Sequence, residues 1–178
     1  MSEQNSAAPA GRTTVEPWVV TDDTGAFLDF VTRAFDGEER GRVETEDGSI
    51  GHGEVRVGDT VVSAFDRRPD WPVIPSLLTV FVTDADHACA RAVEAGARVV
   101  TPVSDDAFGQ RGGRVRDPFG NIWWVTCHVE DLSEDEMWKR LQQPGYAESM
   151  RVAQETLDAE LGGGHRGHAG APVRPTTD

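Results

Sequence analysis

The sequence predicts an α+β fold of two tandem βαβββ modules that form a paired half-barrel cup, followed by C-terminal helices. Two observations predict it: the order strand, helix, strand, strand, strand occurs twice, and the copies are offset by about 60 residues. Residues 54–59, for example, resemble residues 114–119. Each sheet is expected to carry a helix on its convex side, so that the two concave faces share one cup.

The first module follows from hydrophobic patterning. A strand over residues 15–22 ends at an acidic turn, and a helix over residues 24–35 has apolar side chains at helical spacing before Gly37. Three strands are expected over residues 39–45, 50–57 and 60–65, because Asp47-Gly48 and Gly58-Asp59 favour tight turns.

The second module repeats this order. A strand over residues 77–84 leads to a helix over residues 86–95 that ends before Gly96. Short strands are then expected over residues 98–102, 113–116 and 122–128. Beyond Asp131 the pattern becomes helical, because Ser133 and Glu136 form a capping box and residues 146–161 carry an apolar stripe.

Composition divides the chain into four parts. Residues 1–12 and 162–178 are rich in small and polar residues and are expected to be disordered tails. The domain spans residues 13–131, with modules 13–67 and 75–131 joined by the linker 68–74. Residues 132–161 form a C-terminal helical extension.

The charge of the chain limits its partners. It has 31 acidic and 17 basic side chains, a formal net charge of −14, which argues against a nucleic-acid partner and favours small organic cations. No apolar run reaches the roughly 20 residues of a membrane helix, so no membrane partner is expected. Cys89 and Cys127 fall in buried patterns and make no disulfide framework, which fits a soluble cytoplasmic protein.

Alternation along the strands predicts which side chains line the cup. The concave side is expected to carry aromatic rings, hydroxyls and a carboxylate: Glu16, Trp18, Thr79, Phe81, Trp124, Thr126 and His128. His52 shares a strand face with Glu54, and Trp71 on the linker could close over the cup. Such a wall suits stacking of a flat ligand and hydrogen bonding to its edge.

The turn before the last strand, residues 117–121, has the sequence Asp-Pro-Phe-Gly-Asn and is followed by Trp123-Trp124. Together with the duplicated module, this motif resembles the vicinal oxygen chelate superfamily of glyoxalases, extradiol dioxygenases and bleomycin-resistance proteins. Residues 34–37 and 51–59 look most like its PhnB-like branch. The resemblance implies the glyoxalase/bleomycin resistance fold and a homodimer.

The resemblance also provides a test for metal binding. Enzymes of this superfamily bind a divalent metal through His or Glu side chains on four strands. Carried onto this sequence, the first position falls on Glu16. The other three fall on poor ligands: Leu77, residues 63–65 and Trp124. One carboxylate does not hold a transition metal firmly, so no metal and no other cofactor is expected. The alternative is a displaced site built from Glu16, His52, Glu54 and His128.

Three functions are consistent with these patterns. The first is a metal-independent protein that sequesters or carries an aromatic ligand, neutral or cationic, such as a metabolite or an antibiotic. The second is an enzyme, either a metal-dependent glyoxalase, lyase, isomerase or dioxygenase or a metal-free catalyst, with Glu16 and His52 as catalytic candidates. The third is an interaction protein that uses the C-terminal helices. Simple core filling by the indoles competes with a binding role.

Overall fold

Two four-stranded sheets, each backed by one helix, form the body of the protein in a computed structural model that describes residues 8–162. The first module contains β1 (Trp18–Thr21), α1 (Thr24–Phe35), β2 (Glu38–Glu44), β3 (Ile50–Val57) and β4 (Thr60–Asp66). The second contains β5 (Leu77–Phe81), α2 (Ala85–Glu94), β6 (Arg98–Asp105), β7 (Gln110–Arg116) and β8 (Ile122–His128). Helices α3 (Glu134–Leu141) and α4 (Pro144–Glu160) follow.

The two sheets have the same topology. Their strand orders are β1-β4-β3-β2 and β5-β8-β7-β6, and in both the first strand pairs in parallel with the fourth. All other pairings are antiparallel. The predicted duplication of a βαβββ module with C-terminal helices is therefore confirmed, and both sheets are open.

Some strand limits differ from the prediction. β1 begins at Trp18, so Glu16 and Pro17 precede the strand, although the Pro17 carbonyl still accepts a hydrogen bond from the Ser63 amide. β6 continues past Pro102, where the pattern predicted its end. The pairing of β6 with β7 is irregular between Thr101 and Ser104, and such an irregularity accommodates a residue that has no amide hydrogen.

The two module helices begin in the same way. The residue before each helix is an aspartate whose backbone is extended. Its side chain accepts a hydrogen bond from the backbone amide three residues later: Asp23 from Ala26, and Asp84 from His87. Helix α1 ends at Asp36, which is left-handed with a φ of 54°. The following Gly37 is required for space, since a Cβ there would lie 2.7 Å from Val55.

One hydrophobic core serves both modules. The helix-covered side chains of the two sheets belong to a single buried cluster together with α1 and α2. At its centre, the Trp123 ring of β8 lies 4.8 Å from the Phe35 ring and stacks at 6.4 Å on the Phe27 ring of α1. Since both sheets turn their helix-covered faces towards this core, their other faces turn away from it.

The Asp-Pro-Phe-Gly-Asn turn connects three parts of the second module. Buried Asp117 accepts hydrogen bonds from the Asn121 side chain and from the Trp123 indole, both at 2.9 Å. The side-chain oxygen Oδ1 of Asn121 in turn accepts a hydrogen bond from the Ser76 amide at 2.9 Å, immediately before β5. Burial raises the pKa of Asp117, whereas these donors favour its ionised form. The motif therefore holds the last strand and the start of β5 together.

Helix α4 lies across the face of the second sheet that α2 leaves uncovered. Arg114 of β7 donates to the Ala153 carbonyl at 2.8 Å, and the hydroxyls of Thr101 and Thr156 lie 2.7 Å apart. At the end of the helix, Glu160 pairs with arginines of two neighbouring strands, Arg98 and Arg116. The C-terminal extension therefore packs as a third layer of the second module.

The predicted N-terminal tail extends partly into the described region. Residues 9–12 form a turn closed by a hydrogen bond from the Arg12 amide to the Pro9 carbonyl, and the Arg12 side chain contacts the first sheet. Residues 1–7 and 163–178 lie outside the described residues, so disorder there stays a prediction. Within residues 8–162, no helix is long and apolar enough to cross a bilayer.

We expect Asp117→Asn to destabilise the protein by about 2 kcal/mol, because the amide nitrogen would face buried donors that the carboxylate now accepts. Chemical denaturation measures this change. Asp59→Asn is the matched control, since Asp59 lies in an exposed turn and, within residues 8–162, accepts a hydrogen bond only from Thr60. Equal midpoints for the two variants would contradict the structural role of Asp117.

Candidate functional site

The first outer face is the surface of the first sheet that is turned away from α1, and it contains Trp18, His52, Glu54, Ser63 and Phe65. The strand register sets this grouping. Trp18 of β1 lies opposite Ser63 of β4, and Ser63 lies opposite Glu54 of β3. Because paired residues point to the same side of a sheet, these side chains share one surface.

A row of rings runs across the first outer face. The Trp18 ring lies 5.4 Å from the His52 ring and 5.6 Å from the Phe65 ring. Phe65 in turn meets Trp71 of the linker edge to face at 5.8 Å. Trp18 remains 52% exposed, which is unusual for so large an apolar side chain. The row therefore presents accessible aromatic surface.

A network of charged groups borders this row. The Arg12 guanidinium donates to Glu54 at 2.5 Å and to Glu16 at 3.1 Å, and the His52 ring nitrogen Nε2 lies 2.8 Å from Glu54. The Arg12 hydrogen bond holds the pKa of Glu54 below its usual range. The second Glu16 oxygen, Oε1, is buried without a hydrogen-bond partner among residues 8–162. Two carboxylates thus share one guanidinium.

The second outer face is the corresponding surface of the second sheet, with Thr79, Phe81, Arg114, Trp124 and Thr126. Trp124 is 39% exposed, and the Arg114 guanidinium lies 4.7 Å above its ring. Phe81 is 68% exposed, and Thr79 is also exposed. Thr126 is buried and donates to the Gln110 side chain at 3.2 Å. A cation of the protein thus already covers one side of the Trp124 ring.

The structure divides the predicted site residues between these two faces. Glu16, Trp18, His52 and Trp71 gather at the first outer face, and the remaining predicted residues lie on the second sheet. His128, at the end of β8, lies 3.2 Å from Asp131 and does not join His52. Trp18 contacts the rings of His52 and Phe65 on its own sheet, and Trp124 lies beneath Arg114 of the second sheet, so the contacts among residues 8–162 do not join Trp18 to Trp124.

Comparison with known proteins gives the family. The family model described as Glyoxalase/Bleomycin resistance protein/Dioxygenase superfamily matches residues 12–125, which is more than half of the chain. The chain belongs to this superfamily. The predicted superfamily is thus confirmed, while the narrower PhnB-like assignment stays a prediction.

Several other proteins are similar to this chain in sequence or in fold. Uncharacterized proteins of Mycobacterium bovis and Mycobacterium tuberculosis are 34% identical over 142 residues, which is 74% of this chain and 93% and 84% of theirs. The crystal structure of TioX from Micromonospora sp. ML1 matches with a TM-score of 0.53 and 24% identity over 68% of this chain and all of that chain. Protein PA1353 from Pseudomonas aeruginosa has a TM-score of 0.55 and 17% identity, covering 66% and 99%. These structures support the fold.

The residues at the superfamily's metal positions do not fit a divalent ion. Glu16 is bound to Arg12, Leu77 is a hydrocarbon side chain that is 64% exposed, and Trp124 lies beneath Arg114. Within the described part of the chain, no three His, Cys, Asp or Glu side chains are grouped to hold a metal. In the displaced set, the Arg12 cation already lies between the two carboxylates, and His128 is on the other sheet.

A thiol nucleophile is also disfavoured. Burial raises the pKa of the Cys89 thiol to about 11, so the thiolate is scarce at neutral pH. Cys127 is buried on the helix side of β8, as its place in the strand predicts.

Sequence reasoning missed two features of the site. Arg12 was assigned to a disordered tail, because a single arginine in a polar segment carries no pattern that predicts its partners. Sequence reasoning also missed Arg114. Arg114 and Arg116 are two residues apart on one strand and therefore lie on the same face, and this spacing could have indicated a basic surface.

We expect Arg12→Gln to raise the pKa of Glu54 towards its usual value of 4.5, because the hydrogen bond to the guanidinium favours the carboxylate. In the unaltered protein this contact stabilises the fold above the unfolded-state pKa, and the stabilisation is lost as the pH falls through the lower folded-state pKa. Carboxyl-carbon NMR titration measures the pKa of Glu54, and chemical denaturation at several pH values measures the stabilisation.

The matched control for this titration is Arg56→Gln. Arg56 donates to Glu38 at 2.7 Å and holds the pKa of that carboxyl low. The control variant should therefore raise the pKa of Glu38 and leave Glu54 unchanged. An unchanged Glu54 titration in Arg12→Gln would show that Arg12 does not bind there in solution.

Proposed function

We propose that this member of the superfamily is a metal-independent small-molecule binding protein that sequesters or carries an aromatic ligand, such as a metabolite or an antibiotic. The observation that carries the proposal is the ring row of the first outer face, with Trp18 half exposed beside Glu16 and Glu54. The proposal is tested by titrating the protein with two related aromatic compounds, one cationic and one neutral, and comparing their affinities.

The packing of the row supports a flat ligand. Trp18 is fixed in position by its contacts with His52 and Phe65, so a stacking ligand would not have to order a mobile side chain. Aromatic pairs of this kind contribute about 0.5–1.5 kcal/mol beyond the apolar area that they bury. The row can therefore supply affinity without any covalent or metal-assisted step.

The charge balance supports a cationic ligand. Glu16 and Glu54 carry two negative charges, and Arg12 compensates only one of them. A cation stacked on Trp18 would gain both cation–π and Coulomb attraction, each on the order of 1 kcal/mol when partly desolvated. Of the two ligand types that the sequence leaves open, the first outer face thus favours an aromatic monocation over a neutral ring.

A homodimer completes the proposal. Leu77 and Phe81 are more than 60% exposed on β5, which is an edge strand of the second sheet. An edge strand with exposed apolar side chains is suited to association with another chain. A second copy that places this strand opposite Trp18 would bring the two groups of predicted ligand-binding residues together. We also propose a cytoplasmic location, supported by the two free cysteines.

We expect 1-methylquinolinium to quench tryptophan fluorescence and to bind more tightly than neutral quinoline at pH 8. Trp18→Ala should weaken its binding about tenfold, because a stacking contact is lost. Trp138→Ala is the matched control, since this tryptophan lies on α3 and should not change the affinity. Arg12→Gln should tighten binding of the cation and leave quinoline unchanged.

Equal affinities in all variants would contradict this placement of the binding surface. Elemental analysis of protein purified without chelator tests metal independence separately. A stoichiometric transition metal that is lost in Glu16→Ala or His52→Ala would overturn the proposal in favour of a metal-dependent enzyme.

We expect Phe81→Asp to shift the protein from dimer to monomer, because a carboxylate in the contact would be desolvated without a partner. Sedimentation velocity measures the change. Val99→Asp is the control, since Val99 is also exposed but lies on β6, away from the β5 edge. A monomeric unaltered protein at about 100 µM, a concentration at which weak association is detectable, would refute the dimer.

A further inference from the structure

A separate cavity lies between α4 and the second outer face. Its volume is about 150 Å³, and it is lined by side chains of β6, β7, β8 and α4. Gly112 of β7 faces this space opposite Thr126 and contributes no side chain to it. An apolar cavity of about this size accommodates a benzene ring. The space is therefore large enough for one six-membered ring with a small substituent.

Arg114 is the charged group at the wall of this cavity. Both of its hydrogen bonds leave from Nη1, to the Ala153 carbonyl at 2.8 Å and to the Thr101 hydroxyl at 3.3 Å. Unlike Arg98 and Arg116 on the same face, it has no carboxylate partner within residues 8–162. Burial without such a partner lowers the pKa of Arg114. Its Nε and Nη2 donors are left to bind a further acceptor.

The surrounding charges favour an anion. Three arginines of the second outer face, Arg98, Arg114 and Arg116, are met there by one carboxylate of α4, Glu160. Asp106 also lines the cavity, and its Oδ1 accepts the amides of Phe108 and Gln110 at 2.8 and 3.0 Å. Together with Glu160 it makes two carboxylates against the three arginines. A partly desolvated guanidinium is costly unless it is paired, and a bound anion would provide that pairing.

We propose that this cavity is a binding site for a small aromatic carboxylate, held at its carboxylate by Arg114 and along its ring by Trp124 and Met150. A guanidinium offers two parallel donors that match the two oxygens of a carboxylate. The guanidinium lies over the Trp124 ring and is held by its hydrogen bonds to Ala153 and Thr101, so it is in place before the ligand binds. Ser149 and Gln154 of α4 also line the cavity and offer further polar contacts.

This site is independent of the proposed function. Beside Trp18, Glu16 and Glu54 share the single guanidinium of Arg12, which favours a cation, whereas the cavity beneath α4 favours an anion. The two sites lie on different sheets of one chain, and each test depends on its own residues: Trp18 and Arg12 for the cation, Arg114 and α4 for the anion. Failure of either one to bind its probe therefore leaves the other unaffected.

The experiment uses the full chain and benzoate as the probe, with benzamide, benzylammonium and inorganic phosphate for comparison. Calorimetry and ligand-observed NMR measure the affinities. Benzoate should bind most tightly, because it is the one compound of the four that combines a carboxylate with a ring that fits the cavity. Arg114→Met should weaken it about 10- to 100-fold. Arg56→Met is the matched control and should leave it unchanged, because Arg56 pairs with Glu38 and does not line the cavity.

A second variant covers the case in which Arg114→Met does not fold. Ala153→Leu adds volume from α4 into the cavity while the backbone carbonyl that binds Arg114 is kept, and it should abolish benzoate binding. Three results would overturn the proposal: no benzoate binding at about 10 mM, equal binding of benzamide, or affinity unchanged in both variants. Tighter binding of phosphate than of benzoate would also overturn it, in favour of a simple anion site.

Discussion

The packing of Trp123 against Phe27 and Phe35 joins the two modules, and the rest of the structure depends on it. These three rings are almost fully buried, and truncation of such a ring typically costs about 3–5 kcal/mol. Because α1 of the first module contacts β8 of the second, both modules contribute to one buried cluster. The same packing directs both outer faces away from the centre of the molecule, which decides where ligands can bind.

The duplicated modules have kept their topology and changed their surfaces. Glu54 and Arg114 occupy equivalent places 60 residues apart, each on the third strand of its module and each on the outer face. One is a carboxylate that binds Arg12, and the other is a guanidinium over an indole with no carboxylate partner among residues 8–162. The two sheets therefore carry opposite charges at one repeated position, although their backbones are built alike.

Local patterns predicted the elements of the fold, whereas contacts between distant segments escaped them. The Ser133 helix cap, the turn at Asp117 and the alternation in β8 are short-range features, and the structure contains each of them. The site was predicted only in part. Strand parity placed Trp18 and Trp124 on outer faces but could not tell whether those faces meet. That depends on the packing of α1 against β8, and no periodicity within a single element encodes it.

The ion pairs of Glu160 with two neighbouring strands have a consequence for forms of the protein that are truncated at the C-terminal helix. This one carboxylate of the last helical turn pairs with Arg98 of β6 and Arg116 of β7, beside the unpaired Arg114. Proteolysis ahead of this turn would expose a basic patch on an otherwise acidic protein. Polyanions such as heparin would adhere to the cut form and not to the intact one.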